Sequence, residues 1–282
     1  SNTGDTLMDW FAYNQMQEAF EAGKNVMVRG NLTLGFPIEI PAGLTLQVWG
    51  NLDTNGYPIY GAGSLRVDGT YTVDNESIQV PTQVRHLTIN DDHGAVNTTV
   101  LNADTHVQYS ATLNTPAEAA TGVHFCVRGD RDWLNGNGGL VANAAFAIKG
   151  HVEVTDFLVN APVTILSTNT LVVNDRLHIA APIGVVNVGG VTRGSLVVES
   201  TGSVTGDGAL NVVNGTVTLT RTAQVNMTGA LTVANGSSLT QSYISNPEQI
   251  FAGTMNINGE VDVFGDLITT GGNLVIDAKG EV

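Results

Sequence analysis

Apolar and polar residues alternate over short stretches along most of this chain, as in Leu44-Thr45-Leu46-Gln47-Val48, Val217-Thr218-Leu219, Met255-Asn256-Ile257 and Val261-Asp262-Val263. A two-residue period belongs to a strand that buries one face. The stretches also recur. Gly208-Ala209-Leu210-Asn211-Val212-Val213-Asn214-Gly215 returns 21 positions later as Gly229-Ala230-Leu231-Thr232-Val233-Ala234-Asn235-Gly236, and Gly259-Glu260-Val261 returns as Gly280-Glu281-Val282, again 21 apart. Near the other end, Gly30-Asn31-Leu32 returns as Gly50-Asn51-Leu52 and loosely as Gly69-Thr70-Tyr71. A repeat of about 20 residues built only of strand and turn is too short for a propeller blade or a helical repeat. It fits one coil of a single-stranded parallel β-helix, so the fold class predicted is an all-β solenoid of about 20 residues per coil.

One segment breaks the rhythm. Asn14 followed by Gln17 reads as a capping-box start, Met16, Ala19 and Phe20 share a face, and Gly23 ends the run. A short helix is therefore expected there, with Leu7, Trp10 and Phe11 as a lead-in turn. Placed before the first coil, it covers apolar residues that no earlier coil can cover. Residues 1–24 thus form a lead-in and capping helix, and 25–282 a parallel β-helix whose rhythm weakens at about 90–150, where Pro116-Ala117-Glu118-Ala119-Ala120 reads as a helical turn.

The opening carries a family likeness. Met16-Gln17-Glu18-Ala19-Phe20-Glu21-Ala22-Gly23, then Val26-Met27-Val28, then Ile38-Glu39-Ile40-Pro41-Ala42-Gly43-Leu44-Thr45-Leu46, resembles the start of pectin-lyase-like right-handed β-helices, in particular phage tailspikes and tail-fibre virion proteins. Val28-Arg29-Gly30 departs from the Val-Pro-x-Gly turn common there. The resemblance implies a right-handed coil and a homotrimer in the virion tail, in company with other virion proteins. It also implies recognition or depolymerisation of a host-surface polysaccharide. The Gly-Ala-Leu-Thr-Val coils resemble secreted bacterial adhesins of autotransporter type as well, which would place the chain outside the cell or on its surface.

Composition narrows the partners. Charged residues make up only 13% of the 282, about half the usual ~25%, which suits surfaces of Thr, Ser and Asn whose ladders satisfy one another along a rod. The net charge of −15 argues against nucleic acid, whose phosphates would be repelled, and against anionic membranes. No apolar run reaches the ~20 residues of a membrane-spanning helix. Cys126 stands alone, so no intrachain disulfide is possible and a buried thiol is expected. The chain opens on Ser1-Asn2 without Met and stops inside an unfinished echo of an earlier coil, so the solenoid is expected to continue.

Candidate chemistry concentrates in one polar, glycine-rich stretch, Gly129-Asp130-Arg131-Asp132-Trp133-Leu134-Asn135-Gly136. Irregular insertions on a regular scaffold are where binding usually resides, so Asp130, Arg131, Asp132 and Trp133 are the expected glycan contacts. In an extended chain Asp130 and Asp132 point to the same side; an enzyme cleaving sugars would use them as its paired carboxylates. A surface turn rich in Asp and Gly is the plainer reading, and no catalytic set is expected. Asp91-Asp92-His93 reads as a loop. Leu134 breaks a calcium-loop pattern. The six histidines, His86, His93, His106, His124, His151 and His178, show no close ligand spacing, so neither metal nor cofactor is expected.

Overall fold

The computed structural model describes residues 6–90, 98–129, 138–166, 171–242, 250–276 and 280–282. It is a parallel β-solenoid of about 11 turns with about 21 residues per turn and a single helix at the N-terminal end. Each complete coil lays down strands on three faces, and a strand on one coil pairs in parallel with its equivalent on the next. One coil, for example, runs Gly215–Leu219, Gln224–Met227 and Ala230–Val233; the following coil stacks Ser238–Gln241, Ile250–Ala252 and Thr254–Ile257 on them.

The alternation in the sequence becomes columns. On the first face Val26, Leu46, Leu65, Thr82, Thr105, Phe125, Val152, Leu171, Leu196, Val217, Leu239 and Val261 stack in register and point inward. Most are fully buried, and burying one such aliphatic side chain is worth about 1.5–3 kcal/mol. The two polar members of the column, Thr82 and Thr105, hand their hydroxyls to the carbonyls of Val80 and Ala103, at 2.7 and 3.0 Å. A buried hydroxyl without a partner would destabilise the core, and neither is left so.

Successive coils also share corners. In the middle of the rod the first and second strands of a coil fuse into one bent strand, as in Ser64–Asp74, Thr82–Asn90 and Thr105–Leu113, with a register shift at the bend. The next corner carries a ladder of side-chain amides. Asn114 donates to Asn90, Asn143 to Asn114 and Asn160 to Asn143, each at 2.9 Å. On the following coil the equivalent residue is Ala180, whose N–H bonds Val159 O as that of Asn160 bonds Ala142 O, and there the ladder stops. The expected polar ladder is thus present and longest at this corner; a shorter amide pair, Asn211 to Asn187 at 3.1 Å, lies on the third face.

Two expectations need correction. The helix spans Trp10–Glu21 and is capped by Asp9, whose carboxylate accepts from the Ala12 N–H at 2.8 Å. Trp10 and Phe11 are therefore helical, and Asn14 lies inside the helix. An Asp at the cap in extended conformation supplies the missing acceptor five residues earlier than the capping-box reading. The other end is as expected: Gly23 has φ of 71°, and bonds from Gly23 N to Phe20 O and from Lys24 N to Ala19 O close the helix. Met16 and Phe20 are buried in the core. The second correction concerns the stretch of weakened rhythm. Ala117–Ala119 is a strand pairing with Thr99–Leu101 and Phe146–Ile148, not a helical turn. Small Ala side chains fit the inward column beside Phe146, and that packing overrides helix propensity.

Candidate functional site

The outward column of the first face changes chemistry along the rod. Read in register it runs Met27, Gln47, Arg66, Gln83, His106, Cys126, Glu153, Val172, Val197, Thr218 and Thr240. From Gln47 to Glu153 every member but the Cys is polar with a long or ring side chain; from Val172 to Thr240 the column is short and aliphatic or hydroxylic, and Asp262 follows Thr240 on the next coil. The bend between first and second faces adds a second column beside it. The register shift sets Asp68-Gly69 on one coil against Arg85 on the next and Gln108-Tyr109 on the one after. A bulge re-aims side chains in this way.

Two adjoining cavities lie between and beside these columns. One, of about 420 Å³, is lined by Arg66, Asp68, Gln83, Arg85, His106, Gln108, Cys126 and Arg128 among others. Its neighbour, of about 600 Å³, shares Arg66, Gln83 and His106 and extends to Gln47, Ser64 and Asp104. Together they form a groove that crosses several coils along the rod.

The polar groups of the groove are held in place from behind. Asp68 accepts from Gln47 Nε2 at 2.9 Å and from Arg66 Nε at 3.0 Å. Burial pushes its carboxyl up, but the bonds from Gln47 and Arg66 and the charges of Arg66 and Arg85 outweigh that, holding it below the ordinary carboxylate value. Arg128 donates to Glu153 over a long 3.4 Å. Among the described residues, Arg85 makes no side-chain hydrogen bond or ion pair. Tyr109, next to Gln108, accepts from Gln108 Nε2 at its hydroxyl at 3.1 Å, and its ring lies 5.5 Å from that of His86. Burial, aided by the Arg85 charge, pulls His86 below the usual histidine value, so its ring is neutral near pH 7 and is bonded to Ser110 at 2.7 Å. The Cys126 thiol is buried, as expected from a lone cysteine, and burial together with Glu153 pushes it up.

The sequence-predicted contacts Asp130, Arg131, Asp132 and Trp133 lie outside the described residues, as do Asp91, Asp92 and His93. What sequence reasoning missed is the set Arg66, Arg85, His106, Gln108 and Arg128, which are scattered about one coil apart in the chain. Their signal was the coil length itself: outward positions some 20 residues apart collect on one line. Coil stacking also brings His124 and His151 together, with ring centres 5.1 Å apart. Among the described residues no three His, Cys, Asp or Glu side chains gather as metal ligands, and no helix is long and apolar enough to cross a membrane.

Comparison of the chain with protein-family models, with curated proteins and with solved structures finds no match.

Proposed function

We propose that this chain is the structural and receptor-binding part of a phage tailspike or tail fibre, carried in the virion tail, and that it holds a host-surface polysaccharide along the corner groove. The observation that carries the reading is the groove's linear order. Hydrogen-bonding side chains from consecutive coils, stacked at the ~4.8 Å spacing of paired strands, present repeated donors and acceptors along one line, an arrangement suited to a linear polymer rather than a compact metabolite. The Tyr109 ring, bonded through its hydroxyl to the groove residue Gln108, would offer a stacking face for a sugar. The likeness of residues 16–46 to tailspike openings supplies the virion context and, with it, a homotrimer bound to other virion proteins.

One observation favours a degradative version: Asp68, His106 and Glu153 share or border the groove. Asp68, held below the ordinary carboxylate value, is ionised near neutral pH and fits the charge-stabilising carboxylate of such a set rather than its proton donor. Recognition without cleavage is the preferred form. The test is affinity electrophoresis of the protein through gels containing single capsular or O-antigen polysaccharides, with reducing ends and unsaturated products measured in parallel. Retardation by at least one polymer without new ends is expected; release of oligosaccharides would replace binding by catalysis, and free migration in every gel would overturn the reading. Light scattering should give three times the 29.5 kDa of one chain; a monomer would remove the trimer.

A further inference from the structure

Positive charge is scarce on this chain and concentrated where it faces the groove. The sequence holds 11 Lys and Arg against 26 Asp and Glu, yet Arg66, Arg85 and Arg128 all line a single cavity. All three are Arg, whose planar fork matches a carboxylate or sulfate with two parallel bonds where a Lys would offer a point charge.

Structural ion pairing does not account for them. Arg66 spends its Nε on Asp68 and keeps both terminal nitrogens clear of that bond, in a side chain 56% exposed. Arg128 offers one nitrogen to Glu153 at 3.4 Å and is 66% exposed. Arg85, on the coil next to that of Arg66 and Asp68, makes no side-chain hydrogen bond or ion pair with a described residue. Its nearness to Asp68 and His86 is felt as charge in both groups, with no bond to either. Five donors on each guanidinium far exceed the acceptors the protein provides.

The spacing selects the ligand's form. Arg66 and Arg85 stand on adjacent coils, and Arg128 two coils further on, so their backbones span about 14 Å along the axis at the strand spacing. A single small anion cannot reach all three; a chain with anionic groups repeated along it can. On a protein of net charge −15 the smaller cavity, where Arg66, Arg85 and Arg128 face the single carboxylate of Asp68, is locally cationic, and it focuses such a ligand and keeps it off the remaining surface.

We infer that the groove is selective for an anionic polysaccharide, carboxylated or sulfated, with Arg66, Arg85 and Arg128 as the charge-reading contacts and Gln83, His106 and Gln108 for neutral hydroxyls. This rests on the glycan-binding reading and narrows it. Asp68 is a positioning residue, since with Gln47 it fixes the Arg66 fork.

The experiment uses the intact chain and four soluble polymers: polygalacturonate, dextran sulfate, neutral dextran and polyglutamate, each titrated at 50 and 300 mM NaCl. Arg85→Ala is the informative variant, because Arg85 bonds no described residue and its removal leaves the coil intact, which circular dichroism checks; Arg193→Ala, away from the groove, is the control. Expected is binding of polygalacturonate or dextran sulfate, weakened at high salt, with a loss of about tenfold or more in Arg85→Ala, the scale of one charge-assisted bond, and none in Arg193→Ala. Which of the two polymers binds tells carboxylate from sulfate. Equal binding of neutral dextran, with Arg85→Ala unchanged, overturns the anionic selectivity and leaves the glycan reading standing. Polyglutamate bound as tightly as the sugars overturns the glycan reading itself, and binding of none of the four at either salt overturns the selectivity, while the polysaccharide panel above decides the broader reading separately. Loss in Arg85→Ala and Arg193→Ala alike would reduce the effect to net charge and sink the site.

Discussion

Gly229→Ala isolates the reason that glycine recurs at coil length in this chain. A Cβ at Gly229 would stand 2.7 Å from the carbonyl oxygen of Asp207 and closer still to that of Gly208, on the coil below. Ordinary contact begins near 3.4 Å, so the coils must part by more than about 0.7 Å at this corner. Two backbone bonds cross it to the coil below: Thr228 N to Gly206 O at 2.9 Å and Gly229 N to Gly206 O at 3.2 Å. Stretching both by that amount takes them past useful length, and at about 1 kcal/mol net per bond the cost is about 2 kcal/mol, reduced by up to about 1 kcal/mol because alanine stiffens the unfolded chain. Gly190→Ala is the matched control: a Cβ there meets only the end of the Leu166 side chain at 3.3 Å, and a change within about 0.5 kcal/mol is expected. Urea unfolding followed by circular dichroism measures both, and amide exchange at the Gly206 to Gly229 corner shows whether the loss is local, as nearest-neighbour stacking requires. If Gly229→Ala and Gly190→Ala unfold at the same urea concentration, close coil approach is not why the glycines repeat.

Three further outcomes follow from the same geometry. Asn143→Ala removes two amide bonds at 2.9 Å, one to Asn114 and one from Asn160, and should cost about 1–2 kcal/mol, with Asn160→Ala, which loses one, costing about half; equal losses in the melts would mean the ladder bonds are not the cause. His86 and His178 are both pulled below the usual histidine value, chiefly by burial. The unfolded chain therefore binds their protons near pH 6.5 while the fold rejects them, so their contribution is intact above that pH and falls as pH drops below it; a His86→Gln/His178→Gln double variant should lose less stability than the parent between pH 7.5 and 5, and parallel curves would refute this. Cys126, buried and with its thiol pushed up, should react with a thiol reagent roughly a hundredfold slower in the native chain than in urea; comparable rates would show an accessible thiolate.

The groove and the rod differ in how far they could be read from the chain. Alternation at Val217-Thr218-Leu219 and recurrence from Gly208 to Gly229 are local and periodic, so strand type, parallel stacking and coil length all follow from the sequence. Met16, Phe20 and Gly23 announced the helix for the same reason. Its start was misplaced because an extended Asp9 with a partner three residues on is as short a signal as Asn14 with Gln17, and only the observed backbone separates them. Ala117–Ala119 was misread because helix propensity is a property of the residues themselves, whereas the column beside Phe146 that claims those alanines exists only once the coils have stacked.

The sequence by itself determined that this is a solenoid, since an inward period of two and a repeat near 20 leave apolar faces that only neighbouring coils can bury. Tertiary structure alone decided where its chemistry lies. Arg66, Arg85 and Arg128 lie 19 and 43 positions apart and look like isolated cations in the chain; they meet because the number of residues per coil, including every bulge between, sets which outward positions fall on one line. A slip of one residue in any intervening coil would turn the next arginine to the other face of its strand, so the site depends on the sum of many turn lengths and not on any short motif.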